Sequence, residues 1–175
     1  MKRTVVATAI IAVLFVAGGA SAAEWIRRQP GNHINEVEYE VHGAIGFEKS
    51  YGLGAGVRFG IPILKRGFIS SINNNVAISF GVDLLNWPAA DYGVTGVIIP
   101  VMLQWNFFLT PAWSVFWEVG FAPRIWFDRP GHGDERFLPW PGLGIGARYH
   151  FRLGNYPTLV LRLGFPTGLT VGVSF

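Results

Sequence analysis

The sequence closes on Leu169-Thr170-Val171-Gly172-Val173-Ser174-Phe175, in which two kinds of side chain alternate. Every odd position is apolar, every even position is small or polar, and the last residue is an aromatic. A period of two is typical of a β-strand with one apolar face, because successive side chains of a strand point to opposite faces of the sheet. The stretch therefore predicts a strand that runs to the last residue.

The same alternation recurs in seven upstream segments. They span residues 36–47, 52–61, 76–84, 94–107, 113–127, 142–151 and 158–165. The spacers between them contain turn-forming residues such as Pro111 and Asn155, and no segment has the period of an amphipathic helix. Eight amphipathic strands joined by hairpins predict an all-β chain that closes into an antiparallel up-and-down barrel, since closure removes the exposed sheet edges.

The first 22 residues have the three parts of a secretory signal peptide. Lys2 and Arg3 form a basic start, residues 5–16 are apolar except for Thr8, and Ala20-Ser21-Ala22 supplies small residues before a cleavage point. A membrane-spanning helix is the alternative, but the apolar run is too short for a bilayer of roughly 30 Å. We therefore expect a cleaved signal peptide at 1–22, a short periplasmic leader at 23–34 and a barrel domain at 35–175.

Charge and composition exclude several classes of protein. The chain has 14 Lys and Arg against 11 Asp and Glu, and removal of Lys2 and Arg3 leaves 12 against 11, which gives no indication of nucleic-acid binding. It contains no cysteine, which excludes a disulfide-stabilised scaffold. After the signal peptide the only lysines are Lys49 and Lys65, whereas soluble domains usually carry many charges on their surface.

Periodicity alone does not say which face of the barrel points outward. A soluble lipocalin-like barrel would place the apolar face inside around a ligand, and a membrane barrel would do the reverse. The polar face here is mostly Gly, Ala and Ser, which suits a narrow lumen, and the strands are long enough to cross a bilayer when tilted. Aromatic residues also gather near the strand ends, as in the girdles of membrane barrels. One rim has Phe107, Phe108, Trp113, Phe151 and Tyr156, and the other has Phe47, Tyr51, Trp87, Tyr92, Phe127 and Trp140.

The signal peptide, the amphipathic strands and the closing pattern Leu169-x-Val171-x-Val173-x-Phe175 resemble those of small, eight-stranded bacterial outer-membrane β-barrel proteins. The resemblance implies a Gram-negative outer-membrane location and a terminal segment that the barrel-assembly machinery reads. It implies outer-membrane lipids and lipopolysaccharide as surroundings, and we expect a monomer. Both termini would face the periplasm, so that residues 86–93 and 128–141 would be extracellular loops.

The polar face of the predicted barrel carries charges of both signs. The predicted lumenal charge network consists of Glu38, Glu40, Asp83 and Glu118 with Arg58, Arg124, Arg148 and Arg162. Four acids face four bases, and mutual pairing is expected because unpaired charges inside a barrel are costly. We interpret the network as a structural plug, since an eight-stranded barrel is only just wide enough for side chains. A gate, in a narrow pore or transporter for small or apolar solutes, is the alternative.

Catalysis has little support in the sequence. His42 and His150 lie on the polar face, and a triad of His150 with Glu118 and Ser174 near the periplasmic rim is conceivable, but a hydrogen-bonded lumenal histidine is the interpretation that we favour. Outer-membrane lipid A deacylases are also eight-stranded and carry a His-x-Ser pair on a late strand. The corresponding stretch here, 161–169 (LRLGFPTGL), has neither residue. A lipid-modifying enzyme is therefore a second alternative, and we expect no catalytic residues.

Cofactor and metal sites are not expected either. His132 lies near Asp134 and Glu135 in a long connection, but the three residues lack the spacing of a metal site. The glycine-rich stretch at 52–56 (GLGAG) belongs to a strand and not to a phosphate-binding loop, so its glycines indicate room in the lumen. The sequence thus predicts a non-enzymatic outer-membrane barrel with a structural or surface-interaction role through residues 86–93 and 128–141.

Overall fold

The computed structural model describes residues 36–47, 51–88, 93–127, 137–138, 140–151 and 157–175. These residues form an all-β structure without helices, and within them no helix could cross a membrane. The strand segments are β1 (Glu38–Gly46), β2 (Gly52–Leu64), β3 (Asn74–Pro88), β4 (Gly93–Ile98), β5 (Val101–Phe108), β6 (Trp113–Phe121), β7 (Arg124–Phe127), β8 (Phe137–Leu138), β9 (Pro141–Tyr149), β10 (Thr158–Phe165) and β11 (Gly168–Ser174).

The eleven segments correspond to eight long strands, because β4 continues into β5, β6 into β7 and β8 into β9. Two of the interruptions lie at Pro100 and Pro123, and proline has no N–H to donate to a neighbouring strand. Pairing continues in register across the breaks. The N–H of Ile99 donates to the carbonyl of Pro123 at 2.9 Å, and the N–H of Ala122 donates to the carbonyl of Trp140 at 2.8 Å. The predicted eight strands are confirmed.

The strands close into an antiparallel barrel. Around it the order is β2, β1, β11, β10, β9, β6, β5 and β3, and β3 pairs with β2 again. The seam joins the first strand to the last, with Glu40 opposite Ser174 and Ile45 opposite Leu169. Phe175 extends it, since its N–H donates to the carbonyl of Tyr39 at 2.8 Å. The terminal alternation that predicted a strand therefore completes the barrel.

The polar face of each strand points into the barrel and the apolar face points outward. In β3, Ser79 and Asp83 are buried, whereas Ile78, Val82 and Leu84 are exposed. This is the reverse of the arrangement in a lipocalin-like barrel, where the apolar face lines the interior. The inward-facing polar side chains meet in the lumen and form the candidate site there.

The connections at one end of the barrel are shorter than predicted. β3 continues to Pro88, with Asn86 opposite Thr95 and Trp87 opposite Val94, so residues 86–88 and 93 of the predicted loop at 86–93 belong to strands. Phe137–Leu138 form β8 and Pro141 begins β9, which shortens the predicted loop at 128–141. The turn-forming residues Asn and Pro suggested loops, but pairing with the neighbouring strands overrides that local preference. Residues 1–22, 23–34, 89–92 and 128–136 lie outside the described residues.

The two ends of the barrel are distinct. The Phe175 end has Phe175, the turn at 109–112 and the connection 65–73 between β2 and β3; the Trp87 end has Trp87 and the β10–β11 turn at 166–167. The predicted aromatic residues that are described fall at the expected ends, but the prediction of an interfacial Trp87 is wrong. Its side chain is only 5% exposed and lies in the lumen, because the alternation of β3 turns residue 87 inward with Leu85. Tyr92 and Tyr156 lie outside the described residues.

Candidate functional site

The candidate site is a network of charged side chains in the lumen. Alternation along β1 turns Glu38, Glu40 and His42 inward, one above the other. Five other strands each contribute one further charged member, namely Arg58 from β2, Asp83 from β3, Glu118 from β6, Arg148 from β9 and Arg162 from β10. All are buried except Glu38, which is half-buried.

Arg148 forms the part of the network nearest the Phe175 end. Its Nε and Nη2 donate to the two carboxylate oxygens of Glu38 at 2.9 and 2.8 Å, a bidentate geometry that is among the stronger polar contacts in proteins. Its Nη1 donates to Oδ1 of Asn106 at 2.8 Å, and its Nη2 also donates to Oε1 of Gln104 at 2.9 Å. Two amide side chains therefore satisfy the hydrogen-bond donors that Glu38 does not reach.

Arg162 holds the centre of the network. Its Nη1 and Nη2 donate to Glu40 at 2.7 and 2.9 Å, and its Nε lies 3.1 Å from Oε1 of Glu118. The other oxygen of Glu118 accepts a hydrogen bond of 3.0 Å from Gln104, which links this part to Arg148. The ring of Phe116 supports both guanidinium groups, with its centroid 4.3 Å from Cζ of Arg148 and 5.2 Å from Cζ of Arg162.

His42 connects Glu40 to Asp83. Its Nδ1 lies 3.1 Å from Oε1 of Glu40 and its Nε2 lies 3.0 Å from Oδ1 of Asp83. Only the doubly protonated imidazolium can donate from both ring nitrogens, so this geometry suits a cationic His42. The second oxygen of Asp83 accepts from Nη2 of Arg58 and, at 2.7 Å, from Oγ1 of Thr167 in the β10–β11 turn. A Cβ on Gly56 would lie only 2.6 Å from Nε2 of His42, so this glycine of the GLGAG stretch does provide room.

The network balances its charges with a different set of bases from the one predicted. Seven of the eight predicted residues meet, but Arg124 lies elsewhere, with its guanidinium 5.3 Å from the ring centre of Trp126 and 4.6 Å from that of Trp140. His42 takes its place opposite the carboxylates, with one ring nitrogen near Glu40 and the other near Asp83. A position on the polar face fixes the direction of a side chain but not the groups that it reaches. His42 could have been found, since it follows Glu38 and Glu40 on the same strand face.

An apolar cluster fills the lumen at the Trp87 end. Its members are Ala44, Leu85, Trp87, Ile98 and Ala122, with Trp126 packed against them. The Trp87 ring lies 4.9 Å from the Trp126 ring, and it occupies space that is left by three glycines on different strands. A Cβ on Gly46, Gly52 or Gly96 would lie within 3.0 Å of the indole. The described side chains of the lumen therefore lie in two layers, one charged and one aromatic.

His150 lies at the Phe175 end, just after β9, and its partners differ from those considered for a triad. Its Nε2 is 2.9 Å from Oγ of Ser114 and its Nδ1 is 3.1 Å from Oγ1 of Thr158. Glu118 instead contacts Arg162, and Ser174 lies opposite Glu40 and Thr158 in register, so the conceivable triad of His150 with Glu118 and Ser174 does not form. Burial and the nearby Arg148 lower the pKa of His150, which favours the neutral imidazole.

The Ser114–His150 pair lacks features of a hydrolytic site. Ser114 has no exposed surface, and a hydroxyl from Thr158 stands where a triad has a carboxylate. Among the described residues, no group of three or more His, Asp or Glu side chains is arranged to hold a metal ion. The metal candidates that we considered, His132, Asp134 and Glu135, lie outside the described residues.

The predicted assembly signal forms β11 and the residue after it. Val171 and Phe175 are exposed, whereas Leu169 and Val173 are half-buried. All four lie on the outer face that the alternation predicted. No family model and no curated protein matches this chain.

Proposed function

We propose that this chain is an outer-membrane β-barrel protein with a structural or surface-interaction role, and that its lumen is closed and does no catalysis. The observation that carries the proposal is the distribution of side chains. Paired charges occupy the interior and apolar side chains occupy the outside, which is the reverse of a water-soluble barrel.

The apolar side chains on the outside are large and continue around the barrel. Exposed examples from different strands are Val41, Leu53, Leu84, Val101, Val119, Ile145, Leu161 and Val171, with exposures of 37–66%. A contiguous apolar surface of this extent is unusual on a soluble monomer and is typical of a surface that contacts lipid. Exposed aromatics near both ends, including Tyr51 at the Trp87 end and Trp113 at the Phe175 end, further support a bilayer location.

A closed lumen is supported by the two layers of side chains. The charged layer is internally paired, so no net charge is left to attract ions if His42 is cationic. The aromatic layer around Trp87 adds an apolar obstruction beyond it. An eight-stranded barrel is only just wide enough to hold such side chains, and little width is left for a conduit.

The location is tested by separating inner from outer membranes of expressing cells and running each fraction on a gel, boiled and unboiled. We expect a band in the outer-membrane fraction whose mobility changes on heating, as a folded, detergent-resistant barrel requires. A periplasmic protein without this shift would refute the proposal and would leave the apolar outer surface to be explained by a protein partner.

The closed lumen is tested by single-channel recording of the purified barrel in a planar bilayer. We expect no discrete conductance from the wild type. A stable conductance that changes on Arg58→Ala or Glu118→Ala would instead support the narrow pore, because both side chains belong to the charged layer. A lipid-modifying activity would be indicated by a difference in the mass spectrum of lipid A with and without expression.

A further inference from the structure

The end of β2 and the connection that follows it present apolar side chains outward without the alternation of a strand. The register shifts between Pro62 and Leu64, and after it Ile63 and Leu64 are both exposed. Phe68 is 60% exposed and Ile69 is also exposed. We call residues 63–72 the rim loop; it lies at the Phe175 end of the barrel.

The rim loop is held in place by hydrogen bonds from one side chain. Nδ2 of Asn74 donates to the carbonyls of Ile69 and Ile72 at 2.6 and 2.8 Å, and Nε1 of Trp105 donates to Oδ1 of Asn74 at 2.8 Å. The Phe68 ring packs edge-on against Trp105 at 5.2 Å. Since these bonds satisfy loop carbonyls, the loop can lie at an apolar surface without a large desolvation cost.

Two cationic side chains lie at the tip of the loop. The N–H of Gly67 donates to the carbonyl of Leu64 at 3.3 Å, which closes a turn with Lys65 and Arg66 at its centre, and Gly67 supplies the positive φ of 53° that follows. Both side chains are exposed, and neither forms an ion pair with any described residue. A basic pair therefore lies beside a group of exposed apolar side chains at one rim.

We propose that the rim loop binds an anionic phospholipid, with Lys65 and Arg66 on its phosphate and the apolar residues of the loop against its acyl chains. The inference rests on the proposed membrane location. Long basic side chains reach from the edge of an apolar region to the headgroup level, and their attraction to anionic lipid adds to apolar burial. A lipid is favoured over a protein occupant because the fixed loop places a basic pair beside apolar side chains. These two surfaces complement the anionic headgroup and the acyl chains of one lipid molecule.

The test uses the purified, folded barrel in a nonionic detergent and measures lipid adducts by native mass spectrometry. The probes are dioleoyl phosphatidylglycerol and, as the zwitterionic reference, dioleoyl phosphatidylcholine. The variants are Lys65→Gln/Arg66→Gln, which removes the basic pair, and Arg27→Gln/Arg28→Gln, which removes two equal charges from the sequence before the barrel. Heat-modifiability on a gel verifies that each variant is folded.

We expect the wild type to prefer phosphatidylglycerol and Lys65→Gln/Arg66→Gln to bind it about 10- to 30-fold more weakly, since each basic residue near an anionic surface strengthens attachment about fivefold. Phosphatidylcholine binding should be unchanged, and the Arg27/Arg28 variant should behave as the wild type. Equal losses in both variants would overturn the proposal, because general charge would then explain the binding.

A second measurement on the wild type alone keeps the test independent of the variants. Preference for phosphatidylglycerol should fall as salt is raised from about 0.05 to 0.5 M, because screening weakens exposed charge pairs. A preference that is absent or insensitive to salt would overturn the inference. The two proposals fail separately: a barrel that floats with phosphatidylcholine vesicles but shows no anionic preference refutes only the rim-loop site, whereas one that does not float refutes the membrane location.

Discussion

Replacement of Arg162 by methionine removes the cation at the centre of the lumenal network. Arg162 is 2% exposed and is the group that lies between Glu40 and Glu118, at 2.7–2.9 Å from one and 3.1 Å from the other. Methionine keeps most of the length of the side chain but none of its donors. The substitution leaves two buried carboxylates without their shared guanidinium, although His42 still contacts Glu40 and Gln104 still contacts Glu118.

Breaking a buried ion pair from one side typically costs about 3–5 kcal/mol, because the remaining charge is buried without compensation. We expect a loss of that size in the free energy of unfolding. The double variants Arg162→Met/Glu118→Gln and Arg162→Met/Glu40→Gln restore the charge balance. They should recover a substantial part of the loss, since removal of both partners of a buried pair is often nearly neutral.

The assay is equilibrium unfolding of the barrel by urea in lipid vesicles, followed by tryptophan fluorescence and by the heat-modifiable gel band. With a dependence of about 1–3 kcal/mol per molar urea, a loss of ~4 kcal/mol lowers the midpoint by roughly 1–4 M. The reasoning is refuted if Arg162→Met costs less than about 1 kcal/mol, or if both double variants are as unstable as the single one. A cost below about 1 kcal/mol would mean that water or rearrangement compensates Glu40 and Glu118, whereas equally unstable double variants would mean that the loss does not come from their unpaired charge.

Three further perturbations follow from the same structure. Gly120→Ala should lower the free energy of unfolding by about 1–3 kcal/mol, because the added Cβ would overlap the backbone at Val101. The control Gly43→Ala should change it by less than about 0.5 kcal/mol, since the nearest atom to its Cβ would be 4.0 Å away. Similar losses in the two variants, measured by urea unfolding, would contradict this packing. Trp87→Ala should cost about 3–5 kcal/mol by emptying the aromatic layer, and an unchanged urea midpoint would show that the indole does not pack there. Because the pKa of His150 is lowered in the folded barrel, the unfolded chain protonates this imidazole more readily than the folded one. The stability of the wild type relative to His150→Asn should therefore fall as the pH drops below about 6.5. A rise in relative stability over that range would contradict a neutral, buried His150.

The fold could be predicted from the sequence because successive side chains of a β-strand point to opposite faces, so that apolar and polar residues alternate along the chain. Seven alternating segments and the terminal strand at 169–175 were enough for the barrel, and alternation also identified which residues share a face. The ends of strands were less predictable. Asn86 and Pro88 have turn-forming side chains, yet both belong to β3, because pairing with β4 outweighs local preference.

The candidate site was only partly predictable for a related reason. Alternation placed Glu40, Arg58, Asp83 and Arg162 on the polar face, but it assigns no partners across the lumen. Pairing depends on strand register and tilt, which bring β1 opposite β9 and β10 side chains although more than 100 residues separate them in the chain. For that reason His42 was omitted from the network and Arg124 was included in it.

The sequence by itself determined the strand number, the division into two faces and the closure by the last strand, since each is encoded by side chains that are neighbours in the chain. Only the tertiary structure decided that His42 connects Glu40 to Asp83, that Trp87 fills the lumen and that the rim loop is fixed by Asn74. These contacts arise between residues that are distant in sequence. Their geometry is set by the arrangement of the eight strands around one narrow interior.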